Sequence, residues 1–160
     1  MSGFVATLAG VPIAWKSKRQ SVIAGSSAEA EYVAAGVAAR EVEYLRRLLE
    51  EMGLPQDGPT PFYMDSESAA RIIAKDMPSP SVKHLAIRWH IARDLRERGV
   101  IEVRKVNTLL NKADGFTKAL AQDDHARIFN LVYGRRVFRG RERVSWGTVS
   151  VFGSDKTFDL

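Results

Sequence analysis

Apolar residues recur at Ala30, Val33, Ala34, Val37, Ala38, Leu45, Leu48, Leu49 and Met52. That is one face of a long helix. Ser26-Ser27-Ala28-Glu29 precedes it with capping-box spacing, Ser as N-cap and Glu three residues on. Gly53 and Pro55 end it. Its other side carries Arg40, Glu43, Arg46, Arg47 and Glu50, a solvated face. Upstream, Gly3 to Leu8 and Val11 to Trp15 are β-rich and separated by Ala9-Gly10, which predicts a hairpin with Pro12 at a sheet edge or strand start. Phe62-Tyr63-Met64 predicts a short buried strand, and Asp65 to Lys75 a short helix with Asp65 or Ser66 near its start. His84 to Arg98 is amphipathic and stops at Gly99. Val100 to Val106 reads as a strand, Asn107 to Lys112 as a loop, and Ala113–Leu120 and Ala126–Tyr133 as helices. The order β-β-α-β-α-α-β-α-α predicts an α/β domain, a mixed sheet with helices packed on it.

Length and composition narrow this picture. A chain of 160 residues with 45% apolar residues suits one domain with a sizeable core. There is no cysteine, which excludes a disulfide framework and fits a reducing compartment, cytoplasm or nucleus. No apolar run is long enough to span a bilayer, so no membrane is expected as partner. The net charge of +5 makes an anionic partner plausible without naming one.

Sites in mixed sheets form at strand ends. Three acids sit at such junctions: Glu31 in the first turns of the long helix, Asp65 after the third strand, and Asp114 after the fourth. Taken singly, each is explained best as an acid favoured by a helix N-terminus. Together, three carboxylates from three elements have the hard oxygen chemistry that holds Mg²⁺. Lys16, Lys18, Arg19 and Lys83 are candidates for phosphate contact, and equally for solubility. His84 and His90 lie six apart, about 240° around a helix, and make no zinc pair. Trp15 and Trp89 are expected in the core.

Several separated stretches resemble the ribonuclease H domain of copia-type LTR retrotransposon polyproteins. They are "GVPIAWKSKRQSVIAGSSAEAEYVAAG", the block from "FYMDSESAARIIAKDMPSPSVKHLAIRWH" to "VRKVNT", and "NKADGFTKAL". The resemblance runs from about Gly3 to Gly134. It implies a ribonuclease H-like fold over residues 1–134, with 135–160 as an Arg-rich tail. It also implies metal-dependent hydrolysis of the RNA strand of RNA–DNA hybrids. Mg²⁺ (or Mn²⁺) would be held by Glu31, Asp65 and Asp114. The partners implied are the hybrid and the reverse transcriptase domain of the same polyprotein. Glu31 rather than Glu29 matches the family Glu, since Tyr32 follows it.

Departures from the family pattern lower the expected activity. The family's first Asp lies on a strand upstream of "SGFVATLAG", and this chain starts at Met1-Ser2-Gly3. The expected sheet therefore lacks its first, central strand and one metal ligand. Ala86 replaces a common acid, and Gly115 weakens the last segment's helix. The tail is read as an appendage. A less favoured reading has "VSWGTVSVFGSD" fill the central position, with Asp155 as a fourth carboxylate. The competing functions are a non-catalytic nucleic-acid-binding remnant and a protein-interaction module.

Overall fold

The computed structural model describes residues 1–21, 23–74, 90–117, 119–133 and 148–153. β1 (Ser2–Leu8) and β2 (Val11–Lys18) form the expected hairpin. The turn residues Ala9 and Gly10 both have positive φ, 52° and 80°. Two such residues make a turn whose twist matches the strands. Glycine takes that conformation freely, whereas Ala9 is strained in it. Ala9→Asn, which creates Asn-Gly, is expected to add about 0.5–1 kcal/mol to unfolding stability, read as a higher urea midpoint.

The long helix α1 (Ser27–Glu51) starts and stops where its sequence says. Ser26 Oγ accepts from Glu29 N–H at 3.2 Å, and the Glu29 carboxylate accepts from Gly25 N–H at 2.8 Å. At the other end Gly53 has φ 77°. Leu54 N–H reaches Leu49 O and Gly53 N–H reaches Glu50 O, the paired bonds that close a helix on glycine. Arg46, on the face expected to be solvated, instead ties down the following loop through Gly58 O, Thr60 Oγ1 and Gln56 O.

β3 (Thr60–Met64) leads into α2 (Glu67–Ala74). Residues 75–89 lie outside the described part, and with them Lys83, His84, Ala86 and Trp89. The described helix of the next segment is α3 (Ile91–Glu97), closed on Gly99, φ 68°, by the same pair of bonds. β4 (Ile101–Lys105) follows, parallel to β3. Thr108–Leu110 forms a short 3-10 turn inside the expected loop, and Lys112–Phe116 is a second one rather than the start of an α-helix. α4 (Gln122–Tyr133) comes next, then β5 (Thr148–Gly153).

The sheet order is β2-β1-β5-β3-β4. This corrects the expectation of an empty centre. β5, from the segment read as a tail, lies antiparallel to β1 and parallel to β3. The division at Gly134 therefore does not separate the sheet from an appendage. The less favoured reading of the tail has its strand in the central position, while Asp155 and the Arg-rich span 135–143 lie outside the described residues. β2 is an edge strand, where Pro12 is tolerated because it has no N–H to donate.

One face of the sheet carries α1, α2 and α3 over the main core, with Phe4, Ala6, Tyr32, Phe62, Met64, Ile73, Leu95 and Ile101 among its members. Val5 faces the other way, onto Ile128 and Val132 of α4. β1 is thus buried on both sides, as a strand near the middle of a covered sheet must be. A bulge shifts the β1–β2 register between Ala6 and Thr7. Trp15 pairs across the ladder with Val5 and is 57% exposed, so it is not the core residue expected from its type. An edge strand beside a short helix leaves part of that face uncovered. Among the described residues, no helix is long and apolar enough to cross a membrane.

Candidate metal and nucleic-acid site

An acid at a helix start is ordinarily a cap. At all three junctions another residue does the capping. For α1 it is Ser26, with Glu29 bonded back to Gly25. For α2 it is Ser66, whose Oγ accepts from Ala69 N–H at 3.2 Å. For the turn Lys112–Phe116 it is Asn111, fully buried, whose Oδ1 accepts from Ala113 N–H at 3.1 Å. Other side chains therefore cap these helix starts, while the favourable helix dipole, the reading strongest for each acid alone, applies to Glu31, Asp65 and Asp114 as before.

Their positions are set by different elements. Glu31 is on the second turn of α1, partly buried. Asp65 directly follows β3 and is also partly buried. Asp114 is 5% exposed. α1, β3 and the turn Lys112–Phe116 all pack against β5. Each carboxylate takes part in other contacts. Even so, Oε2 of Glu31, Oδ1 of Asp65 and Oδ1 of Asp114 are buried and accept no hydrogen bond. The donor chemistry suits a hard divalent ion. Among the described residues, however, no three His, Asp or Glu side chains stand together as a ready group for one ion.

The ladder puts positive charge at the same end of the sheet. Lys16 pairs with Phe4, Phe4 with Val151, Val151 with Met64, and Met64 with Lys105. This row crosses all five strands one residue short of Asp65. Lys16 and Lys18 are exposed on β2, and Arg19 follows, also exposed. On the far edge Lys105 Nζ meets Glu67 at 3.1 Å. That contact, with Arg71 also bonded to Glu67, holds the Glu67 carboxyl below its usual range.

Three features near the site were not anticipated from sequence. Gln20 Nε2 donates to Ser2 Oγ at 2.8 Å and to Ala30 O at 2.7 Å, tying the start of β1 to the helix turn before Glu31. Tyr32, buried beside Glu31, has its hydroxyl 2.6 Å from His90 Nδ1 and so links α1 to α3. Burial pushes the Tyr32 phenol up, and Arg93 opposes this. Glycines bring the last turn in close. A Cβ on Gly3 would collide with Thr117 Cγ2 and lie 3.2 Å from Phe116 Cβ, and one on Gly115 would lie 2.8 Å from Ile128 Cγ2. Gly115 thus has a packing reason beside its effect on helix formation. No local pattern announces these contacts, because each joins residues far apart in the chain.

The chain is 35% identical over 122 residues to the retrovirus-related Pol polyprotein from transposon TNT 1-94 of Nicotiana tabacum. Its homologues are transposon Pol polyproteins. The Pol polyproteins from transposons RE1 and RE2 of Arabidopsis thaliana match at 32% and 31% identity over 121 residues. Each match takes in 76% of this chain and only 8–9% of the Pol polyprotein. The chain therefore spans less than a tenth of the length of the relatives it matches. No family model and no solved structure matches it.

Proposed function

We propose that this Pol-related segment is a ribonuclease H-type domain that hydrolyses the RNA strand of RNA–DNA hybrids with the aid of Mg²⁺ or Mn²⁺, weakly in this chain. The observation that carries the reading is the one made at the three junctions. Glu31, Asp65 and Asp114 come from three elements that all pack on β5, at helix starts capped by Ser26, Ser66 and Asn111. β5 supports it by occupying the central position that the family resemblance leaves open.

In this reading Glu31, Asp65 and Asp114 hold the ion. A bound divalent cation lowers the pKa of water and offsets charge on the leaving oxygen. A water oxygen would bond to phosphorus as the P–O3′ bond breaks, one water proton ending on the departing 3′ oxygen and the water oxygen staying on the new 5′ phosphate. Lys16, Lys18 and Arg19 on the β2 edge, together with Lys83, bind hybrid phosphates. The reverse transcriptase domain of the same polyprotein is the natural supplier of the hybrid.

One observation favours a second reading, a nucleic-acid-binding remnant without catalysis. One residue beyond the pair Met64↔Val151, Asp65 would stand level with Phe152, a position without a carboxylate. A Mg²⁺-titrated assay on a labelled hybrid separates the two. Slow cleavage that is lost in Asp65→Asn supports the enzyme. Binding without cleavage supports the remnant, and neither binding nor cleavage removes both. In either reading Lys16→Ala should lower the salt dependence of hybrid binding by about one unit of log–log slope.

A further inference from the structure

β5 differs from the other strands in how it is tied to the fold. β1 and β2 are joined by a two-residue turn and cannot part. β3 and β4 pair directly. Among the described residues, β5 is the strand that bridges these two halves, through the ladder from Ser2↔Gly153 to Thr7↔Thr148 on one side and Phe62↔Val149 to Met64↔Val151 on the other. It comes after α4, with residues 134–147 between. Its sequence, TVSVFG, carries no charge and no proline, the features that keep a strand from pairing elsewhere.

We infer that the slot between β1 and β3 accepts β5 from a second copy of this chain as well as from its own, so that two copies close each other's sheets. A strand delivered by the second copy makes the same two backbone ladders as one delivered internally. The contacts are therefore equal, and only effective concentration separates the two arrangements. As α1, β3 and the turn Lys112–Phe116 all pack on β5, each carboxylate-bearing region would then be completed by the other copy. This inference stands on strand order alone and does not depend on nuclease activity.

The absence of cysteine makes the test clean. Ala6 and Val149 are direct partners in an antiparallel ladder, close enough for a disulfide after substitution. A chain with both Ala6→Cys and Val149→Cys should form an internal disulfide. Ala6→Cys and Val149→Cys chains, unfolded and refolded together, should give a covalent heterodimer. Its yield should rise about tenfold or more as refolding concentration goes from micromolar to millimolar. An internal disulfide in the double variant, with no heterodimer at any concentration, would overturn the inference. Failure of the double variant to close would overturn it too, because β5 would then not occupy the slot. The pair Val5→Cys and Ser150→Cys, also in register, repeats the test if the first pair misfolds.

Discussion

Val149→Pro is expected to unfold the domain. Val149 pairs with Ala6 on one side and with Phe62 on the other, inside a strand that has a neighbour at each edge. Proline has no N–H to give to a ladder, and its ring is excluded from central strands. The ladder partner left unsatisfied should alone cost about 1–3 kcal/mol, with the ring's clash added to it, against a total stability on the order of 5–15 kcal/mol for a domain. The chain holds its own comparison, because Pro12 sits in β2 at the sheet edge. Circular dichroism during urea unfolding gives the answer. A Val149→Pro midpoint equal to that of the parent would remove β5 from the middle of the sheet.

Mg²⁺ is expected to stabilise the folded chain, and Asp65→Asn or Asp114→Asn to remove that gain. An ion that binds only the native state adds about 1.4 kcal/mol at ten times its Kd and about 2.7 kcal/mol at a hundred times. The parent should therefore melt several degrees higher in Mg²⁺ than in a chelator. Glu29→Gln is the control. Glu29 serves the start of α1 through Gly25, so this change should lower stability with or without the ion and leave the Mg²⁺ increment intact. Equal increments in the parent, Asp65→Asn and Asp114→Asn would place the ion elsewhere or nowhere. This thermal measurement needs no catalytic turnover, so it tests the carboxylates even if the chain cleaves nothing.

Features governed by local chemistry were legible in the sequence. Ser26 and Glu29 mark the start of α1 and Gly53 its end, because capping is decided within a few residues. Ala9-Gly10 marks the hairpin, and Pro12 marks an edge, for the same reason. The place of β5 is legible only as the less favoured of two readings of the tail. The β-rich composition of Val144 to Phe152 marks a strand but does not decide which slot it fills, since its pairing partners in β3 and β1 lie 87 or more residues away. Trp15 was misjudged because its exposure depends on how far α4 reaches across the sheet, not on its own apolar character. The turn at Lys112–Phe116 was read as helix. There Gly115 meets Ile128 closely, a tertiary contact that helix propensity cannot foresee.

At the candidate site, sequence picked out Glu31, Asp65 and Asp114 but could not separate capping from any other role. The structure adds which side chain accepts from each neighbouring N–H: Ser26 Oγ, Ser66 Oγ and Asn111 Oδ1. Gln20 was passed over for a different reason. A glutamine between a basic strand end and a loop carries no periodic signal, yet it anchors both Ser2 and Ala30.

Among the described residues, the strand that joins the two halves of the sheet follows every other element. On a ribosome, the hairpin and the helices emerge while the seam between β1 and β3 is still open. Collapse can begin early, but lasting closure waits for a contact between Ser2 and Gly153, a topology that slows folding. Nascent chains of this kind should lean on chaperones until synthesis has passed Gly153.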